Sequence, residues 1–185
     1  MEKISTDALL ASFFARDDLN ALTAQAGQLL NCPILILDDT FHVISGCCPP
    51  DFRDELFRGT LRQGELTFEA SAALSQSQTL AAGAADFVRP EGGTCRRRIA
   101  PLISAGVRLG YLVCPDTDGH LSKLPEETWA AVERILAKQL FIETSRQDKP
   151  FETAEDILMR LLDGGFPTAA YFRLQTAGTY LADFH

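Results

Sequence analysis

The segment from Arg96 to Val113 constrains this chain more than any other stretch. It reads as two apolar runs, Arg96-Arg97-Arg98-Ile99-Ala100-Pro101-Leu102-Ile103-Ser104 and Val107-Arg108-Leu109-Gly110-Tyr111-Leu112-Val113, folded about Ala105-Gly106. Glycine supplies the positive φ that a tight two-residue turn demands, so a β-hairpin is expected. With that turn, Leu102 faces Leu109, Ala100 faces Tyr111 and Arg98 faces Val113 on one side of the ribbon. Arg97, Ile99, Pro101, Gly110, Leu112 and Cys114 share the other side. Both sides are apolar beyond the arginines, which places the hairpin centrally in a sheet with both faces covered.

The chain before it alternates helix and strand signals. Residues 5 to 31 read as helix, bent around Ala15-Arg16, with Asp17 or Asp18 able to cap the second piece. Leu19, Leu22, Ala26, Leu29 and Leu30 fall on one face of it. Ile34-Leu35-Ile36-Leu37 is short, β-favouring and apolar on both parities, as a buried strand is. A turn at Asp38-Asp39-Thr40 joins it to a partner strand, His42 to Gly46. Pro50 opens a helix beginning near Asp51, and Thr67 caps a short helix carrying Phe68, Ala72 and Leu74. Residues 75 to 83 read as loop, and Asp86 to Arg89 as an edge strand.

Beyond the hairpin, a helix with Glu126 and Glu127 in its first turn runs without Gly or Pro to about Arg146. Trp129, Val132, Leu136, Leu140 and Glu143 trace a seam along it. A helix of that length outlasts one small sheet, so a homodimer is expected, built on residues 5–31 and 125–146. Residues 1–147 then form one domain, and 148–185 a helical connector with the start of a following domain. Within the connector, residues 151–162 are amphipathic and 167–175 make a last short helix. Gly178 to Phe184 has strand chemistry with no partner in view, so the chain is expected to be the front part of a longer protein.

Composition narrows the class of function. The chain has 185 residues, 46% of them hydrophobic, enough for a full core. A net charge of −8 argues against this piece holding nucleic acid or an anionic membrane by itself. No apolar run approaches the roughly 20 residues that span a bilayer. Met1 to Ser5 lacks a signal peptide's charged start and long apolar core, so the cytosol is the expected compartment. Five cysteines, Cys32, Cys47, Cys48, Cys95 and Cys114, are then free thiols, with a redox role for vicinal Cys47-Cys48 as the competing reading. No CxxC occurs and the histidines are scattered, so neither a metal nor a cofactor is called for.

Three stretches carry a resemblance. Leu29-Leu30-Asn31-Cys32-Pro33-Ile34-Leu35-Ile36-Leu37-Asp38 resembles the first strand entry of the sensory domains in PucR/CdaR-type bacterial transcriptional regulators. Arg98-Ile99-Ala100-Pro101-Leu102 with Leu109-Gly110-Tyr111-Leu112 resembles their central hairpin. Phe151-Glu152-Thr153, through Leu161-Leu162-Asp163-Gly164-Gly165-Phe166, resembles the helical connector that follows. The element order is that of a GAF domain. The resemblance therefore implies an α+β fold, with a five- to six-stranded antiparallel sheet, helices on one face and a small-molecule pocket on the other. It also implies a dimeric sensor whose DNA-binding helix-turn-helix lies outside this sequence. The alternative is a cysteine-dependent enzyme resembling free methionine sulfoxide reductases.

Catalysis finds little support, since no Ser/His/Asp constellation, HExxH or phosphate loop can be read. Arg96-Arg97-Arg98 is the densest charge cluster. It is either a strand end emerging into solvent or the source of one guanidinium that pairs with an anionic ligand. The expected pocket lies under the helices of residues 51–76. Tyr111 and one of these arginines line it, and Phe57 and Phe68 roof it.

Overall fold

A computed structural model describes residues 7–15, 18–146, 154–166 and 168–176. Two helices open the chain, α1 (Asp7–Ala15) and α2 (Leu19–Leu30). Asp18 caps α2 by accepting from the Asn20 N–H, and Asn31 ends it with a left-handed backbone. Strands β1 (Ile34–Asp38) and β2 (Val43–Cys47) follow, joined through Asp38, whose carboxylate accepts from the Thr40 and His42 N–H groups. The crossover holds α3 (Glu55–Gln63), α4 (Phe68–Ser75) and α5 (Gln78–Ala81). Then come β3 (Asp86–Val88), β4 (Arg96–Ser104) and β5 (Val107–Asp116), a 3-10 turn at Leu121–Lys123, α6 (Glu126–Arg146), α7 (Ala154–Leu162) and α8 (Ala169–Thr176). All strand pairs are antiparallel in the order β2-β1-β5-β4-β3, so the hairpin is central and the fold is α+β, as expected.

Side-chain alternation splits the core into two layers. Ile34 and Ile36 of β1, Ala100 and Leu102 of β4, and Leu112 of β5 meet α1, α2 and α6. Leu35, Leu37, Ile99, Tyr111 and Val113 meet the crossover side chains Phe57, Leu74 and Leu80. Among the described residues, no helix is long and apolar enough to cross a membrane.

The hairpin's register departs from expectation. Ala105 and Gly106 do form the turn, with φ of 51° and 77°. Ser104 pairs with Val107 and Ile103 with Arg108, but Leu102 then pairs with Gly110, leaving Leu109 as the extra residue of a β-bulge. Every later pair shifts by one, so Arg98 opposes Cys114, and Tyr111 opposes Pro101. Tyr111 therefore shares a face with Arg97 and Ile99, and Cys114 with Arg98, the reverse of the expected arrangement. Gly110 explains why the shift is held. A Cβ there would lie 1.9 Å from the Leu37 carbonyl oxygen on β1, so only glycine lets the strands close.

Three other expectations are corrected. The crossover helix starts at Glu55 rather than near Asp51, because Asp54 is its cap, accepting from the Phe57 N–H at 2.8 Å. The 75–83 loop contains α5, capped by Ser77. The seam of Trp129, Val132, Leu136 and Leu140 is buried within the chain among residues of α1, α2, β4 and β5, so it leaves no stripe for a second copy to cover. α8 packs on β5 and α6, and the Ala170 N–H donates to Asp39. Phe151 and the expected strand from Gly178 to Phe184 lie outside the described residues.

Candidate functional site

Asp54 and Arg97 are the centre of the crossover side of the sheet. Arg97 is the second residue of β4, and alternation turns it toward the crossover. Asp54 reaches it as the cap of α3. The two side chains meet at 2.9 Å and are almost wholly buried, 5% and 1% exposed. The carboxylate is saturated. Its Oδ1 takes the Phe57 N–H and the Arg97 Nη2, and its Oδ2 takes the Thr94 hydroxyl at 2.8 Å and the Cys95 thiol at 3.8 Å. Burial alone would raise the Asp54 carboxyl, but the bonds from Phe57 N–H and Thr94, with the Arg97 charge, hold it below the usual carboxylate range. The guanidinium is less well served. Its Nε is buried and meets no acceptor, and the Phe57 ring lies 5.9 Å away.

Arg97 lines a partly enclosed cavity of about 220 Å³ between the sheet and α4. Ile99 and Val113 form its floor, Ala70 and Leu74 its roof, and Val88 to Glu91 one side. Thr67, Glu69, Arg89 and Glu91 add polar groups to the lining, and a mostly apolar cavity with a few placed polar groups is the usual form of a small-molecule site. A larger groove of about 560 Å³ lies near the Asp54 carboxylate, lined by Cys32, Cys47, Phe52, Thr94 and the end of α2. It is broad and open to solvent, and the buried guanidinium lines only the smaller cavity, which is the better candidate.

The expected site residues separate. Arg97 lines the cavity, and Phe57 is buried beside the guanidinium. Arg96 is exposed, its guanidinium 5.1 Å from the Phe87 ring. Arg98 faces the opposite layer, stacked 3.9 Å above Trp129 and paired with Glu133 of α6. Burial raises the Glu133 carboxyl, opposed by that arginine. Tyr111 is buried and stacked on Phe41 at 5.4 Å, away from the cavity lining, and burial pushes its hydroxyl up. Phe68 is 82% exposed, because the roof face of α4 is the one bearing Ala70 and Leu74. Asp54 was not legible as a site residue, although an Asp directly before Glu55-Leu56-Phe57 is a capping signature.

All five cysteines are unbridged. Burial raises the thiols of Cys48 and Cys95, and raises Cys114, which also touches Cys32, well above the ordinary value. One cluster was missed: Asp116, Asp118 and His120 bring potential ligand atoms within 4.8 Å of one another. Both nitrogens of His120 are already engaged, Nε2 on the Leu30 carbonyl and Nδ1 on Asp118, so the ring fastens the end of α2 to the β5 exit. Burial alone would lower its pKa, but these bonds and the Asp118 charge raise it.

In class, this is an α+β domain whose antiparallel sheet carries helical layers on both faces and a small cavity under one of them. Among solved structures it is similar to the cofactor binding GAF domain of the nutrient sensor CodY from Clostridium difficile, with 13% identity and a TM-score of 0.45 over 71% of this chain and 90% of that one. No family model matches the sequence, and no curated protein matches it.

Proposed function

We propose that this chain is the small-molecule-sensing domain of a cytosolic transcriptional regulator, which works as a dimer and contacts DNA through a region outside this sequence. The observation that carries the reading is the partly enclosed, mostly apolar cavity with a buried, under-paired guanidinium in its wall. Arg97 and Arg98 are neighbours on opposite faces of β4, so a ligand that re-seats the first displaces a strand whose next residue grips α6. We read the domain as non-catalytic. A cysteine-dependent enzyme needs an accessible thiolate, whereas Cys48, Cys95 and Cys114 are shifted toward the thiol and no cysteine lines the cavity. Phe14 of α1, Phe68 of α4 and Leu162 of α7, at 81%, 82% and 81% exposed, are the most exposed large apolar side chains among the described residues. A dimer interface would bury one or more of them. Native mass spectrometry of protein purified from its own cells tests the reading. A retained small molecule that dissociates on denaturation supports it, and a spectrum of the bare chain alone contradicts it.

A further inference from the structure

We propose that the cavity under α4 takes a monocarboxylate on a short apolar body, gripped by the Arg97 guanidinium. This rests on the sensing reading and names the ligand class of that same site.

The argument is one of donor accounting. A guanidinium carries five N–H donors in a rigid fork. Arg97, 4% exposed, gives one to Asp54 Oδ1 through Nη2, and its buried Nε–H has no acceptor. Asp54 has nothing more to offer, because Phe57 N–H, Thr94 and Cys95 occupy its oxygens. Buried donors are expensive to leave unmade, so the missing acceptor is supplied from the cavity that Arg97 lines. A carboxylate matches the fork with two parallel bonds. A phosphate dianion would bring two negative charges to a lining where Glu69 and Glu91 already offset Arg89 and where Asp54 shares the charge of Arg97. The walls of Ala70, Leu74, Val88, Ile99 and Val113 are apolar. The rest of the ligand is therefore apolar. A volume of about 220 Å³ equals about seven waters at liquid density, roughly the size of a six-carbon acid.

The test is calorimetric titration of the full chain with sodium hexanoate and, as the neutral isostere, hexanamide. Hexanoate is expected to bind at least about tenfold more tightly, because a bond to a buried charge is at stake. Arg97→Lys keeps the charge, loses the fork, and should weaken hexanoate by a similar factor. Since any Arg97 variant disturbs Asp54, Ala70→Leu provides the independent arm. It fills the cavity from α4, leaves the ion pair intact, and should abolish binding without lowering the unfolding midpoint. Equal affinity for the two compounds, or hexanoate binding undiminished in Ala70→Leu, overturns the proposal. If neither compound binds, the carboxylate class fails. The native mass spectrum then decides the sensing reading separately, since a retained neutral molecule keeps it and a bare chain removes it.

Discussion

Asp54→Ala probes the buried ion pair and should be among the most damaging single substitutions in the chain. Two losses add. The first is the cap of α3, where Asp54 accepts from the Phe57 N–H, and a lost cap is worth about 1 kcal/mol. The second is the only acidic partner of the Arg97 guanidinium among the described residues, leaving a charge buried without compensation at about 3–5 kcal/mol. Together they give about 4–6 kcal/mol, against a total stability on the order of 5–15 kcal/mol for a domain. Urea unfolding followed by circular dichroism reads the change as a lower midpoint at unchanged slope. The double variant Asp54→Ala/Arg97→Met removes both charges and should recover about 2 kcal/mol or more over Asp54→Ala alone. Asp54→Asn adds a pH signature. The native carboxyl is held below its usual range, so its stabilisation is present above the unfolded pKa and disappears as pH falls through the folded one. The wild-type lead over Asp54→Asn should therefore shrink in acid. A cost under about 2 kcal/mol for Asp54→Ala, with no recovery in the double variant, would refute the claim that this pair is buried and mutually dependent.

Three further outcomes follow from the fold. Gly110→Ala should cost more than about 3 kcal/mol by urea unfolding, because its Cβ would meet the Leu37 backbone, while Gly106→Ala, strained only by its φ of 77°, should cost about 1–2 kcal/mol. Equal costs would mean that β5 and β1 are not so closely apposed. His120 has a raised folded pKa, so its contribution is full below the unfolded value and fades as pH rises through the folded one. The midpoint gap between wild type and His120→Gln should thus be wider near about pH 5.5 than about pH 8.5, and a gap that widens with pH contradicts the contact with Leu30 and Asp118. Leu136→Glu with Leu140→Glu should unfold the chain itself rather than merely dissociate copies, since those side chains are 0% and 3% exposed within one chain. A folded monomer carrying both glutamates would restore the intermolecular seam.

What could be read in the sequence was local chemistry. Thr67 and Asp18 cap helices through their own neighbours' N–H groups, and Ala105-Gly106 turns by its own φ angles, so each is visible within a few residues. What escaped depends on contacts remote in the chain. The bulge at Leu109 is held by β1 pressing on Gly110, and this one-residue slip moved Tyr111 to the face opposite its expected one. Asp54 is an ordinary cap until β4, 43 residues on, brings Arg97 to it. The α6 seam looked too long because its coverage by α1 and α2 was not counted. Arg96, Arg97 and Arg98 read as one cluster, yet strand alternation sends them to solvent, the cavity and α6 in turn.

The central claim is that the space between α4 and β3–β5 is a ligand site read by Arg97. A crystal structure of protein incubated with its own cell extract and then repurified tests it most directly. The account predicts density for a small organic molecule under Ala70 and Leu74, with an oxygen in hydrogen-bond distance of the Arg97 guanidinium. A cavity closed by α4 settling onto Ile99 and Val113, with Arg97 extended into solvent, would contradict it.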